Sequence, residues 1–189
     1  MSPAAPRTQY YTAATLDGFI ADPNHSLDWL FQFGAEGTPD YSDFISRVGA
    51  VAMGSSTYEW VLRHLSRTAD RTPDPWPYSQ PSWVFSTRSL PTVPGGDIRF
   101  VRGDVAPVHR AMLEAAGGKN VWLVGGGDLV GQFHDRGLLD DVIVTIAPVT
   151  LGAGKPVLPR VITTPPLELV RTDVYGPFVQ LRYAVRRET

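Results

Sequence analysis

The chain has no cysteine among its 189 residues, which excludes disulfides, thiolate nucleophiles and cysteine-ligated zinc or iron–sulfur centres and fits a reducing cytoplasm. An excess of one charge is lacking too. With Lys+Arg at 17 and Asp+Glu at 19, the formal charge is −2 and no basic stripe forms, so nucleic acid and anionic membrane surfaces are poor partners. No apolar run approaches the length that spans a bilayer, and Met1 to Gln9 carries no apolar core of a signal peptide. His25, His64, His109 and His134 show no metal-ligand spacing, and no serine stands in a nucleophile-elbow context. No metal is expected, and chemistry has to come from carboxylates or a borrowed cofactor.

What the chain does have is concentrated in Asn120 to Phe133, Asn-Val-Trp-Leu-Val-Gly-Gly-Gly-Asp-Leu-Val-Gly-Gln-Phe. An apolar strand, Val121 to Val124, stops at Gly125, Gly126 and Gly127. A helix then begins, with Asp128 in its first turn and Leu129, Val130 and Phe133 able to face a sheet. Bare glycines let a flat or anionic ligand approach the backbone, and the helix start offers unpaired N–H groups at a positive dipole end. The alternative is a tight turn without a ligand.

At this length one domain over 1–189 is expected, with a sheet covered on both faces. Gln9 to Ala14 reads as a buried strand, Asp17-Gly18 as a turn and Phe19 to Ala21 as a short strand. Ser26 can cap a short helix carrying Leu27, Trp29 and Leu30; Trp29 suits a core position or the wall of a flat pocket. A loop over Gly34 to Pro39 precedes a helix with Tyr41, Phe44, Ile45 and Val48 on one face and Asp40 as N-cap. Ala50 to Met53 is a second buried strand, and Gly54-Ser55-Ser56-Thr57 opens a helix bearing Trp60, Val61 and Leu65. Its hydroxyls and N–H groups suit a phosphate, and simple N-capping accounts for each of them singly.

Arg67 to Pro81 lacks periodicity and reads as an exposed loop. Ser82 to Phe85 is a strand ending in Ser86-Thr87-Arg88, a small cationic patch that fits either a phosphomonoester or a solvated arginine. Ile98 to Val101 is a strand, Pro107 to Ala116 a helix, Leu138 to Ala147 a continuous apolar strand and Pro148 to Pro159 a loop. Leu167 to Val174 and Val179 to Val185 form a hairpin turning at Tyr175-Gly176-Pro177. Strands alternating with helices and then a hairpin indicate an α/β sheet, mostly parallel, with antiparallel strands at one side. The glycines do not complete a dinucleotide fingerprint, because Val130 takes the third position, and no Gly-Lys-Ser/Thr completes a P-loop.

Four stretches nevertheless stand in a specific order: Ala13 to Ala21 with Leu16-Asp17-Gly18, Val51 to Glu59 with Gly54-Ser55-Ser56-Thr57, Val84 to Arg88, and Val121 to Leu129. They resemble the dihydrofolate reductase superfamily, in particular the stand-alone bacterial group related to the reductase domain of riboflavin biosynthesis. Gly137 to Asp141 and Ala147 to Pro156 resemble the riboflavin-type members more than true folate reductases.

The resemblance implies a three-layer dihydrofolate-reductase-like fold with a mixed, mostly parallel central sheet and a C-terminal antiparallel hairpin. It implies NADPH as hydride donor. The pyrophosphate would lie between two helix N-termini, at Gly54, Ser55, Ser56 and Thr57 and at Val124, Gly125, Gly126, Gly127, Asp128 and Leu129. The main chain around Ala14 and Ile20 would hold the nicotinamide carboxamide, and Ser86, Thr87 and Arg88 the 2′-phosphate. Relatives usually carry an arginine directly after the glycine of the second motif, whereas this chain has Ser55, so the NADPH preference rests on Arg88.

On the substrate side, Asp40 and Phe44 fall where folate enzymes place the pterin-binding carboxylate and the stacking ring, and Trp29 and Thr145 fall near two further pocket positions. Asp40 is the expected proton source, since a carboxylate in an apolar pocket orients an N–C–N edge and promotes protonation of the bond receiving hydride. Asp17 is its rival, because riboflavin-type members share its turn. Against a folate, no arginine stands just ahead of the Ser82 strand; against the riboflavin intermediate, the zinc-binding deaminase residues are missing. The expectation is an NADPH-dependent reductase of a C=N or C=O bond in a pterin- or pyrimidine-like heterocycle, working as a cytoplasmic homodimer. The rivals are a non-catalytic dinucleotide- or ligand-binding protein and a purely structural α/β dimer.

Overall fold

The computed structural model describes residues 5–34, 38–68 and 75–187. Its centre is an eight-stranded sheet in the order β5-β4-β3-β6-β1-β7-β10-β9. The strands are β1 (Thr8–Thr15), β3 (Val48–Gly54), β4 (Ser82–Phe85), β5 (Ile98–Val101), β6 (Asn120–Gly125), β7 (Asp141–Ala147), β9 (Glu168–Tyr175) and β10 (Phe178–Ala184). From β5 to β7 neighbouring strands run parallel, and β10 joins β7 and β9 antiparallel. Between them lie the helices α1 (Asp28–Phe31), α2 (Tyr41–Ser46), α3 (Ser55–Thr68), α4 (Val105–Ala116) and α5 (Gly127–Asp135).

Period-2 alternation divides the buried residues between two faces. Ala50, Ala52, Val121 and Leu123 pack with Met112 of α4 and Phe133 of α5, while Val51, Met53, Val84 and Trp122 pack with Tyr58 and Val61 of α3. Small alanines on the first face let α4 lie close. That helix starts at Asp104, whose carboxylate accepts from the Ala106 N–H at 3.0 Å, and ends at Gly117 in the left-handed conformation (φ 58°).

Topology places the site. From β3 the chain moves outward through α3 to β4, and from β6 it moves the other way through α5 to β7, although β3 and β6 are neighbours. The C-terminal ends of β3 and β6 thus flank a crevice where the direction of winding reverses, the usual ligand position in open α/β sheets.

Three expectations need correction. The strand expected from Leu138 begins only at Asp141, because the Gly137 and Leu138 N–H groups close the end of α5 on the His134 and Phe133 carbonyls (2.8 and 2.9 Å) and Leu139 fills the core. The loop Pro148 to Pro159 contains β8 (Lys155–Pro156), paired with β2 (Phe19–Ala21). Of the expected loop Arg67 to Pro81, residues 69–74 lie outside the described residues, and the rest is not all exposed: the Trp76 ring is buried, with its N–H donated to Ser82 Oγ at 3.2 Å. Residues 35–37 of the Gly34 to Pro39 loop also lie outside the described residues.

Candidate active site

The ends of β3 and β6 meet at glycines: a Cβ built on Gly54 would lie 3.8 Å from the Gly126 nitrogen. The three glycines after β6 turn out to serve different ends. Gly125 has φ +152°, with Thr57 Oγ1 3.4 Å from where its Cβ would be, and its peptide bond to Gly126 is cis. Gly126, the N-cap of α5, has ordinary extended angles and nothing within 4 Å of a Cβ, so its bareness opens onto free space. Gly127 is a packing glycine, since a Cβ there would strike the Pro156 and Val157 carbonyl oxygens at 2.5 Å each. Of the three, Gly126 has open space where a side chain would go, and Gly127 lets β8 approach.

That opening belongs to a cavity of about 850 Å³. At one end lie Ser56 and Thr57 of α3 and Val124, Gly125, Gly126, Gly127 and Asp128 of β6 and α5, so two helix N-termini point into it. Ile20, Ala21 and Lys155 form a side wall. An aromatic cluster lines it as well: Trp122 meets Tyr11, Tyr41, Tyr78 and Phe44 edge-on with ring centres 6.3, 5.7, 5.6 and 5.3 Å away, and all but Phe44 line the cavity. Burial pushes the Tyr41 phenol up to about 12 and raises those of Tyr11 and Tyr78, so these hydroxyls stay protonated donors at neutral pH.

Of the expected substrate residues, Thr145 lines this chamber, buried on β7, and its hydroxyl accepts from Gln180 Nε2 at 3.0 Å. Phe44 stands behind the wall, stacked on Tyr11 at 4.2 Å. Trp29 is not among the lining residues, and its buried indole nitrogen has no partner among the described residues.

Neither expected carboxylate lines the cavity. Asp40 caps α2, accepting from the Ser42 N–H at 2.9 Å and the Ser42 hydroxyl at 2.5 Å; these bonds hold its pKa below the usual carboxylate value. Its neighbours Thr38, Pro39 and Tyr41 do line the chamber. Asp17 accepts from the Thr15 hydroxyl at 2.6 Å and from the Leu151 and Gly152 N–H groups at 3.0 and 2.7 Å, which ties the β1–β2 turn to the segment before β8 and likewise lowers its pKa.

The remaining cofactor-side residues divide. Ala14 and Leu129 are buried, and neither they nor Ser55 are among the residues that line the cavity. Ser86, Thr87 and Arg88 sit at the end of β4, outside the cavity wall; Ser86 Oγ accepts the Arg88 N–H at 2.9 Å, and the Arg88 guanidinium is paired with Glu59 of α3. Sequence reasoning missed Tyr11, Tyr41, Tyr78, Trp122 and Lys155 as wall residues; only the density of aromatics around Tyr10-Tyr11 and Tyr41 hinted at it.

Among the described residues no group of His, Asp or Glu could hold a metal ion, and no helix is long and apolar enough to cross a membrane. The chain is similar to the uncharacterized protein YwjB of Bacillus subtilis (strain 168), 35% identical over 177 residues that cover 94% of this chain and 97% of YwjB. It is similar in structure to the "Putative riboflavin biosynthesis protein" of Shewanella sp. PV-4, with a TM-score of 0.75 and 27% identity over 96% of this chain and 99% of that one. Dihydrofolate reductase from Enterococcus faecalis, complexed with NADP(H), shares the fold at a TM-score of 0.59 and 14% identity over 94% and 95% of the two chains. The model of the RibD C-terminal domain matches residues 6–181, nearly the whole of this dihydrofolate-reductase-like sheet and its crevice, and the chain belongs to that family.

Proposed function

We propose that the chain is an NADPH-dependent reductase that transfers hydride to a C=N or C=O bond of a flat, pterin- or pyrimidine-like heterocycle. The observation that carries this reading is the continuity of one cavity from a pair of helix N-termini to an aromatic chamber. Its first end fits a dinucleotide pyrophosphate: free space over Gly126, hydroxyls at Ser56 and Thr57, and N–H groups of two helix starts. Its aromatic walls fit a flat ring. A dihydronicotinamide bound between the two would supply the hydride.

The protein's own residues then bind, orient and desolvate. Ile20 and the main chain near Ala14 would hold the nicotinamide edge, and Tyr11, Tyr41, Tyr78 and Trp122 exclude water from the acceptor. For the proton, Asp40 is the better placed of the two expected carboxylates, because lining residues flank it on both sides. Asp17 stands second. The reading includes a cytoplasmic homodimer, for which the exposed apolar residues Leu169, Val170 and Val174 of the edge strand β9 supply a surface.

NADPH at a hundred times its dissociation constant should stabilise the fold by about 2.7 kcal/mol, read as a melting shift. The absence of a shift with both NADPH and NADH would overturn the reading. A second reading, a ligand-binding protein that kept the fold without turnover, is favoured by the placement of both carboxylates outside the cavity wall. Consumption of NADPH with a panel of dihydropterins and aminopyrimidinediones separates the two.

A further inference from the structure

We propose that the ammonium group of Lys155 binds the pyrophosphate of the cofactor, an inference that rests on the dinucleotide reading above. Among the described residues, Lys155 is the only lysine or arginine lining the cavity. Its ammonium has no hydrogen-bond or ion-pair partner among the described residues, although the residue is half-buried. The carboxylate that also lines the cavity, Asp128, is engaged elsewhere: it accepts from Arg160 and from Gln132 at 3.2 Å each, and its side chain is 74% exposed. An anion in the cavity would give the Lys155 ammonium a partner that the described residues do not supply.

The backbone beneath Lys155 is pinned beside the anion end. Lys155 pairs with Ala21 in the small β2–β8 sheet, and Val157 donates its N–H to the Gly18 carbonyl at 2.9 Å. Val157 also accepts the Tyr10 hydroxyl at 2.9 Å, and the Pro156 and Val157 carbonyls abut Gly127, the first residue of α5. The backbone at Lys155 thus runs beside a helix N-terminus, and the residue lines the cavity that this terminus also borders.

Charge balance points the same way. Each helix end supplies roughly half an elementary positive charge. The starts of α3 and α5 together offset about one of the two charges on a pyrophosphate diester, and a further cation is needed. Ser55 carries none and Arg88 is held by Glu59, which leaves Lys155 among the described cavity residues.

The test is titration of the full chain with NADPH and NADH, followed by tryptophan fluorescence, in the parent, Lys155→Met and Lys155→Arg. Because pyrophosphate is common to both dinucleotides, Lys155→Met should weaken both by the same factor, roughly ten- to a hundredfold. Lys155→Arg should retain most of the affinity, and neither variant should lower the melting temperature of the free protein. Unchanged affinity in Lys155→Met overturns the proposal, and so does a loss confined to NADPH, which would assign the lysine to the 2′-phosphate. A parent protein that binds neither dinucleotide overturns the underlying reading instead.

Discussion

Arg88 donates its two terminal nitrogens to the two carboxylate oxygens of Glu59, at 2.9 and 2.8 Å, across the start of α3. Hydrogen bonds and charge from Arg88 hold Glu59 below the usual carboxylate range. The same pairing occupies the guanidinium that a 2′-phosphate contact requires. Glu59→Gln should therefore free Arg88 and raise the affinity for NADPH over NADH several-fold, whereas Arg88→Ala should narrow that preference. Since the arginine is more than half exposed and the pair is screened by solvent, neither change should unfold the protein. Dissociation constants for both dinucleotides check this; equal changes in the two would remove Arg88 from the 2′-phosphate site.

Gly126→Val and Gly127→Val separate ligand space from packing space. Nothing lies within 4 Å of a Cβ on Gly126, and its φ of −82° suits any residue, so the valine variant should fold normally and lose the NADPH-induced melting shift. Gly127→Val forces a side chain onto the Pro156 and Val157 carbonyls and should cost about 1–3 kcal/mol without any ligand present. Thermal melts of the two variants with and without NADPH give both answers. Retained binding in Gly126→Val would move the dinucleotide elsewhere.

The two strand-to-helix junctions at the cavity were legible in the sequence because their requirements are local: an apolar strand, bare or hydroxylated residues, then a helix, at both Gly54 and Gly125. The chamber was not, because Tyr11, Tyr41, Tyr78 and Trp122 arrive from four separate segments, and no spacing records that their rings meet. Asp17 looked like a turn residue or an acid; its bonds to Leu151 and Gly152 span more than a hundred positions and leave no local trace. Strand β8 is two residues long and includes a proline, and the segment around Trp76 is dominated by prolines, so neither offers a period to read.

Asp40→Asn tests the proton source with little structural cost. Asparagine caps a helix about as well as aspartate, so α2 should persist and NADPH binding should be spared, while turnover of any accepted substrate should fall by about 100-fold or more. Steady-state rates with saturating cofactor provide the measurement. An unaffected rate would transfer the role to Asp17. There, Asp17→Asn should also loosen the segment at Leu151 and Gly152 and lower the melting temperature.

Acid stability should depend on Asp141, at the opposite end of the sheet from the site. Its carboxylate is 2% exposed and accepts from Arg7 at 2.7 Å twice, from Gln9 at 2.8 Å and from Arg182 at 3.0 Å. Burial alone would raise its pKa, but the hydrogen bonds from Arg7 and Gln9 and the charges of Arg182 and Arg7 outweigh it, and the net shift is downward. A carboxylate with a depressed folded pKa stabilises fully above the ordinary aspartate value near 3.9, and the contribution is lost as pH falls through the folded pKa. His109 acts earlier. Burial lowers its pKa, and its ring bonds Thr8 Oγ1 at 2.7 Å, so protonation of the unfolded chain removes stability as pH drops below about 6.5. Denaturant melts from pH 7 to 2 should thus show two successive losses. Asp141→Asn should cost about 2–3 kcal/mol at neutral pH and abolish the lower step while leaving the His109 step in place. A variant that kept both steps would show that Asp141 does not govern the acid limb.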